Sequence, residues 1–295
     1  MPLYRAYGLV LACERELPLA PAETRAPVDV RIAEALGAAR QEPRPGRERE
    51  LRRDGADWSL RYRDPTGDWV DYEFTAAGGS LTVAGSATWE DAVPPLLGVV
   101  CAVLLSSMGR PLLHGAAVAW EDGAIGVLGD SGRGKSTLAA GLLMTGGRLL
   151  SEDVLAFKRS GAAFEVEPGY ARISLLPDAR EALGFEMAEG IAPRRGTAKH
   201  WIEAPASTRA VELRRLYLLE PPDPAAPEGR ATPASRLAAG PALVRQLYGA
   251  PWIRPASAAD LSFCVALAAA VPVFTLSRPA SLDAVAAFAA MVRAM

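Results

Sequence analysis

Eight consecutive residues, Gly129-Asp130-Ser131-Gly132-Arg133-Gly134-Lys135-Ser136, satisfy the pattern G-x-x-x-x-G-K-[ST]. Three glycines let a backbone turn tightly enough for successive N–H groups to point into one concavity that favours an anion. In such a loop Lys135 reaches the β- and γ-phosphates of a nucleoside triphosphate, and the Ser136 hydroxyl holds Mg²⁺. A helix beginning at Lys135, with Thr137 in its first turn, adds the positive end of its dipole to the same place. The chain has only three lysines, Lys135, Lys158 and Lys199, so a chance lysine in this slot is rare.

The flanking residues fit the loop. Ala124 to Leu128 reads as a short apolar strand, and Lys135 to Thr145 as a helix with Leu138, Leu142 and Leu143 on one stripe. Gly146-Gly147 is its stop. The helix carries the chain about 15–17 Å away from the loop at 1.5 Å per residue. Arg148 to Asp153, as a strand, brings it back about 17–20 Å at roughly 3.3 Å per residue. Glu152 and Asp153 therefore end near Lys135. Two adjacent acids closing an apolar run ask for something cationic, either Mg²⁺ or a substrate proton. The other reading is an exposed acidic pair at a strand end.

One histidine falls on the preceding strand. Leu112 to Trp120 and Ala124 to Gly129 read as a hairpin through Glu121-Asp122-Gly123. With Asp122 and Gly123 as the loop residues, Trp120 faces Ile125 and His114 faces Ser131, beside the mouth of the glycine loop. There His114 polarises a phosphate oxygen or orients an acid; a structural histidine satisfied within the hairpin is the alternative. Farther on, the loop Gly190 to His200 gathers Arg194, Arg195, Lys199 and His200. Lys199 is the favoured contact to the γ-phosphate or the acceptor, against a merely solvated loop.

These elements sit in a chain of 295 residues, half of them apolar, with formal net charge −2. That charge leaves no electrostatic footprint for nucleic acid. Cys13, Cys101 and Cys264 are odd in number and lack metal spacing, which reads as buried thiols in a reducing compartment. Arg5, Glu14 and Arg15 leave too short an apolar run for a signal peptide, and Val93 to Leu105, with Pro94 and Pro95, is too short to span a bilayer. The expectation is a cytoplasmic protein without membrane or nucleic-acid partner; a homo-oligomer stays open.

Residues 1–92 read as a smaller β-rich N-terminal domain. Leu3 to Ala12, Val28 to Ile32, Trp58 to Tyr62, Trp69 to Phe74 and Leu81 to Val83 are strand-like, and Asp64-Pro65-Thr66-Gly67 is a turn. Arg40 to Gly55 mixes arginines with Glu42, Glu48, Glu50 and Asp54, a solvated loop or exposed helix more than an anion patch. The apolar run after Trp89-Glu90-Asp91, up to Met108, reads as a buried helix opening a second domain, residues 93–295. Its remainder predicts strands at Phe164 to Val166, Arg172 to Leu175, Val211 to Leu219 and Val271 to Leu276. Helices are expected at Pro177 to Leu183, Arg236 to Tyr248, Ala258 to Ala270 and Leu282 to Ala294, the last with Ser281 as N-cap. Glu220 to Ser235 reads as a mobile connection. The fold class is α/β.

No Asn-Lys-x-Asp base-reading motif occurs, which argues against a GTPase, and the Glu-Asp order after a short apolar run fits a motor ATPase poorly. Phosphoryl transfer to a hydroxyl suits the spacing better, with one acid on Mg²⁺ and the other taking the hydroxyl proton.

The run from His114-Gly115 through Gly129-Asp130-Ser131-Gly132-Arg133-Gly134-Lys135-Ser136 to Gly147-Arg148-Leu149-Leu150-Ser151-Glu152-Asp153 resembles the core of the HPr kinase/phosphorylase family. That resemblance implies a Mg-ATP-dependent serine kinase on a fold related to phosphoenolpyruvate carboxykinase. ATP and Mg²⁺ are the implied cofactors. Lys135 and Ser136 are implied as phosphate and metal ligands, with His114 and the acidic pair doing chemistry. Glu152 stands where the family carries Asp, which leaves open whether Glu152 or Asp153 is the base. Arg194-Arg195-Gly196 is a faint counterpart of the family's second signature, so a phosphorylase back-reaction also stays open. The opening Tyr4-Arg5-Ala6-Tyr7-Gly8-Leu9, followed by Leu17-Pro18-Leu19, is similar to HPr-kinase-related proteins encoded beside peptide-maturation genes, including lasso-peptide tailoring kinases. This implies a ribosomally synthesised precursor peptide as partner, phosphorylated on its C-terminal serine. An open β-edge in the N-terminal domain could hold such a peptide by strand addition. A small-molecule kinase of the same fold and a nucleotide-sensing binding protein are the alternatives.

Overall fold

Tyr7 and Gly8 both adopt positive φ, 56° and 75°, the geometry of a two-residue hairpin turn. They join β1 (Leu3–Ala6) to β2 (Leu9–Cys13), with Ala6 paired to Leu9. The structure is a computed structural model that describes residues 1–37, 49–63, 67–76, 78–185, 198–249 and 252–295. It separates into two units, Met1–Arg110 with Pro251–Pro255, and Pro111–Ala250 with Ala256–Met295.

In the first unit the hairpin continues through β3 (Ala20–Pro21), β4 (Val30–Leu36), β5 (Arg49–Asp54), β6 (Asp57–Arg63), β7 (Trp69–Thr75) and β8 (Gly79–Gly85). They form one sheet in the order β3-β1-β2-β4-β8-β7-β6-β5. The described part of this region is thus built largely of strands. Arg49 to Asp54, expected in a loop or exposed helix, is instead an edge strand whose partner β6 fixes it. Residues 40–48, and 64–66 of the expected turn, lie outside the described residues.

The helix α1 (Trp89–Ser107) is 19 residues long. Thr88 caps it by accepting the Asp91 N–H, and Leu96–Val100 forms a π-helical turn just after Pro94-Pro95. By length and hydropathy α1 could cross a membrane, and 61% of its apolar window is buried inside the structure; the shorter span read from sequence understates it. Tyr72 donates its hydroxyl to the Ala92 carbonyl at 2.7 Å, and Tyr7 donates to Leu97 at 2.7 Å. Those buried bonds tie α1 to the first sheet. The boundary thus falls after Arg110 and not at residue 92, because α1 needs that sheet's apolar face.

The second unit begins with β9 (Leu112–Trp120) and β10 (Gly123–Leu128). After them come α2 (Lys135–Leu143), β11 (Arg148–Ser160), β12 (Ala163–Val166), β13 (Arg172–Leu175), α3 (Pro177–Ala182), β14 (His200–Glu203) and β15 (Val211–Glu220). The chain ends with β16 (Arg230–Pro233), α4 (Arg236–Arg245), α5 (Ala258–Ala270), β17 (Val273–Ser277) and α6 (Val285–Ala294). β11, β9, β10, β15, β17 and β16 lie side by side, with β10, β15 and β17 mutually parallel. β12 links β11 to the start of β15.

Alternation along these strands feeds two cores. Val118, Ala116, Ile125, Val127 and Tyr217 join Leu138 and Leu142 of α2 and Phe288 and Val292 of α6. Ala117, Ala119, Ala124, Leu128 and Leu216 join Leu243 of α4 and Cys264 and Leu267 of α5. The protein is mixed α/β with several sheets.

Two expectations for this unit are corrected. Arg230–Pro233, inside the segment read as a mobile connection, is a strand paired to β17. Ser281 is not an N-cap: α6 begins at Val285 with Ala284 before it, and the Ser281 hydroxyl accepts the Asp283 N–H locally.

Candidate functional site

The ladder β10–β9–β11 sets three residues in a row, since Gly115 pairs with Leu128 on one side and with Asp153 on the other. Leu128 ends β10, so the glycine loop leaves the sheet at the level of the acidic pair. Gly115 permits this spacing: a Cβ there would fall 2.5 Å from the Leu128 side chain and 2.5 Å from the Val127 carbonyl. The hairpin register differs by two residues from the sequence expectation. Trp120 pairs with Gly123, not with Ile125, and Glu121-Asp122 forms the turn. Gly123 is needed inside the strand instead, because its Cβ would meet Arg214 at 2.3 Å and the Glu212 carbonyl at 3.1 Å. His114 still arrives next to the loop, one step beyond the Gly115–Leu128 pair.

The loop has the backbone its glycines were expected to allow. Gly129, Gly132 and Gly134 all have positive φ, 147°, 80° and 97°. Gly134 is the N-cap of α2 and offers no side chain to the N–H groups of the first turn, where Ser136 and half-buried Thr137 stand. Lys135 is buried, and its ammonium donates to the Gly129 carbonyl at 2.8 Å and the Asp130 carbonyl at 3.1 Å. Asp130, Ser131 and Gly132 are exposed. Arg133 approaches Asp130 at 3.8 Å, a surface contact that contributes little.

Both acids reach this loop. The Ser136 hydroxyl donates to Glu152 Oε1, and the Ser174 backbone N–H donates to Glu152 Oε2 at 3.2 Å. Glu152 is buried, held between α2 and β13. In a regular strand Asp153 would point to the opposite face. The backbone departs from that twice: β11 shifts register between Leu149 and Ser151, and Asp153 has φ +66°. Asp153 feels Lys135 and His114 electrostatically, and its carboxylate has no hydrogen-bond donor among the described residues.

Burial pushes the Lys135 ammonium below its usual range, helped by the charge of Lys199 and opposed by Asp153, Glu152 and Asp130. Lys199 therefore belongs to the same electrostatic neighbourhood. It stands just before β14, whose His200 and Trp201 pair with Leu175 and Ser174. His114 is likewise pushed down, first by burial and next by Lys135. Its Nδ1 lies 3.0 Å from the Asp153 carbonyl oxygen. A carbonyl only accepts, so Nδ1 carries the proton and Nε2 the lone pair. Tyr248 lies against the imidazole, ring centres 5.7 Å apart. The structure thus brings together His114, the loop Gly129–Thr137, Glu152, Asp153 and Lys199. Arg194 and Arg195 lie outside the described residues.

Several contributors escaped the sequence reading. Ser174 holds Glu152 by a backbone group, which residue type does not reveal. Ser151, fully buried, donates its hydroxyl to the Val154 carbonyl at 2.7 Å. Arg278 follows β17, and the rule that parallel strands place ligands at their carboxyl ends could have found it.

A phosphate with Mg²⁺ fits these residues chemically. The loop offers uncapped N–H groups and an ammonium, while Ser136 and Glu152 offer hard oxygens. Buried polar atoms without partners, Ser174 Oγ and Arg278 Nε, lie beside it. Among the described residues no group of three His, Cys, Asp or Glu side chains could hold a metal alone, and Mg²⁺ ordinarily takes one or two carboxylates plus phosphate oxygens and water.

No protein-family model matches the chain, and no curated protein matches it. Among solved structures, that of the Hpr(Ser) kinase/phosphatase from Coxiella burnetii is similar over 62% of this chain and 94% of that one. The TM-score is 0.31 and the identity 15%, a likeness too slight to transfer the role of any residue.

Proposed function

We propose that this protein is a Mg-ATP-dependent phosphotransferase that moves the γ-phosphate to a serine hydroxyl of a peptide. The observation that carries this reading is the division of labour between neighbouring acids. Glu152 is engaged by Ser136 and Ser174, whereas Asp153 has a left-handed backbone within its strand and a carboxylate unengaged among the described residues. Glu152 with Ser136 suits the metal side, and Asp153 suits the base.

Lys135 and the loop N–H groups would hold the β- and γ-phosphates, with Ser136 and Glu152 toward Mg²⁺. When bound, Mg²⁺ supplies neutralisation of phosphate charge. Asp153 takes the proton of the acceptor hydroxyl; that oxygen bonds to the γ-phosphorus as the bond to the β–γ bridging oxygen breaks and ADP leaves. His114, neutral and donating through Nδ1 to the Asp153 carbonyl, steadies the backbone that aims this carboxylate. Lys199 adds positive charge where the transferred group passes.

The peptide acceptor, a ribosomally made precursor with a C-terminal serine of the lasso type, is supported by the likeness of residues 4–19 to peptide-tailoring kinases. The β-rich first unit is the proposed recognition module. Its sheet edges carry Pro21 on β3 and Arg49, Arg52 and Arg53 on β5, features that discourage strand pairing and count against the open edge expected for strand addition.

Incubation with [γ-³²P]ATP, Mg²⁺ and a precursor peptide ending in serine, against the same peptide ending in alanine, tests the reading. Label on the serine peptide alone supports it. Label on a metabolite and on no peptide makes the protein a small-molecule kinase, and tight Mg-ATP binding without transfer to any acceptor makes it a nucleotide sensor.

A further inference from the structure

We infer that Arg278 is a phosphate-binding residue of the glycine-loop site, engaging the nucleotide through its guanidinium fork; this rests on the nucleotide reading above. β10, β15 and β17 run parallel, with Leu128 paired to Leu218 and Glu220 to Ser277. The loops after β10 and β17 therefore leave the same edge of the sheet, where open parallel sheets bind ligands. Gly129 packs directly on β15, its Cβ position 2.8 Å from the Leu219 carbonyl. On the other flank of the loop, the Cβ position of Gly134 lies 3.5 Å from Arg278 Cδ and 3.7 Å from its Nε. The arginine stem thus rests against the glycine immediately before Lys135.

The bonding of this side chain is incomplete. Nε is buried without a partner among the described residues, where the guanidinium makes a single hydrogen bond, 3.3 Å from a terminal nitrogen to the adjacent Pro279 carbonyl. Among the described residues no carboxylate lies within ion-pair distance of it. A partly buried cation with an unmet donor is costly unless an anion arrives. Five donors in a planar fork match a phosphate in two-point contact. Pro279, itself buried, restricts the backbone of Arg278 to extended conformations, so the side chain leaves the strand end in a fixed direction.

Calorimetric titration of the full chain with Mg-ATP tests this. Arg278→Met keeps the apolar stem and removes the fork. It is expected to weaken Mg-ATP binding about tenfold or more, since charge-assisted hydrogen bonds are the strong ones, at an unchanged melting temperature. Wild-type affinity in Arg278→Met overturns the assignment. Should that variant fail to fold, Arg278→Lys is read instead: weakened binding supports the fork, and wild-type affinity overturns it. Absence of Mg-ATP binding by the unmodified chain overturns the nucleotide reading itself, a result separable from failure of Arg278 alone.

Discussion

Ser151 donates its hydroxyl to the carbonyl oxygen of Val154 at 2.7 Å, spanning Asp153 at its left-handed φ of +66°. The hydroxyl staples a strand across its one left-handed residue. Left-handed backbone costs an ordinary L-residue roughly 1–2 kcal/mol, and such strain persists where surrounding bonds over-determine it, often at functional sites. Ser151, Val154 and the His114–Asp153 contact supply that constraint here.

Asp153→Asn therefore separates geometry from chemistry. Asparagine tolerates the left-handed region as aspartate does, so unfolding in urea should change by less than about 0.5 kcal/mol. Peptide phosphorylation should fall about 10²–10⁴-fold, the usual contribution of a positioned base, with Mg-ATP affinity largely kept. Ser151→Ala should lower stability by about 1 kcal/mol and also slow transfer. Wild-type transfer in Asp153→Asn removes the base from this residue.

The Ser136–Glu152 bond makes a prediction for the protein without nucleotide. Ser136→Ala removes the Ser136 hydroxyl as a donor to buried Glu152, which should cost about 1–3 kcal/mol. Pairing it with Glu152→Ala in a double-mutant cycle should reveal a coupling above about 0.5 kcal/mol. Additive losses in denaturant titrations would mean that the two side chains do not act as a unit.

How much of this was legible beforehand depended on how local the cause was. The loop, α2 and the return of β11 follow from glycine placement and a 3.6 period against a 3.3 Å rise, so Glu152 and Asp153 could be brought to Lys135 by arithmetic. Ala258–Ala270 was likewise readable from its apolar run. The hairpin register was not, because Gly123 answers to Arg214 on a strand about ninety residues away. Nor could Arg230–Pro233 be recognised, a strand whose ladder depends on β17 rather than on its own Pro- and Ala-rich composition. The α1 boundary failed for a similar reason: an apolar helix shows that it is buried, and only Tyr7 and Tyr72 show against what. Ser174 acts through its backbone N–H, invisible to any reading of residue types.

Gly129 offers a steric check on the same loop. Its φ of 147° is a conformation L-residues rarely adopt, and an added Cβ would sit 2.8 Å from the Leu219 carbonyl, part of the β15 backbone. Gly129→Ala should therefore displace either the loop or β15, costing about 1–3 kcal/mol in thermal unfolding and weakening nucleotide binding. Gly132→Ala is the control, since it has open space around it at a φ of 80°; it pays for backbone strain alone and should cost less. Equal losses in both variants would show that the contact with Leu219 is irrelevant.

His114 supplies a pH signature. Burial, then Lys135, lowers its folded pKa below the usual 6.5, with Asp153 and Asp130 opposing. The unfolded chain, titrating near about 6.5, then binds more protons than the folded one in the window between the two values. Unfolding free energy rises with pH wherever the unfolded state holds more protons. Stability should accordingly be complete above about pH 7, decline as pH falls through 6.5, and stop changing on this account once the folded imidazole itself protonates. His114→Gln, which can still donate toward the Asp153 carbonyl, should remove that component of the pH profile. Chemical denaturation of the two proteins between neutral and mildly acidic pH measures it, and parallel profiles would mean that His114 has an ordinary affinity for its proton.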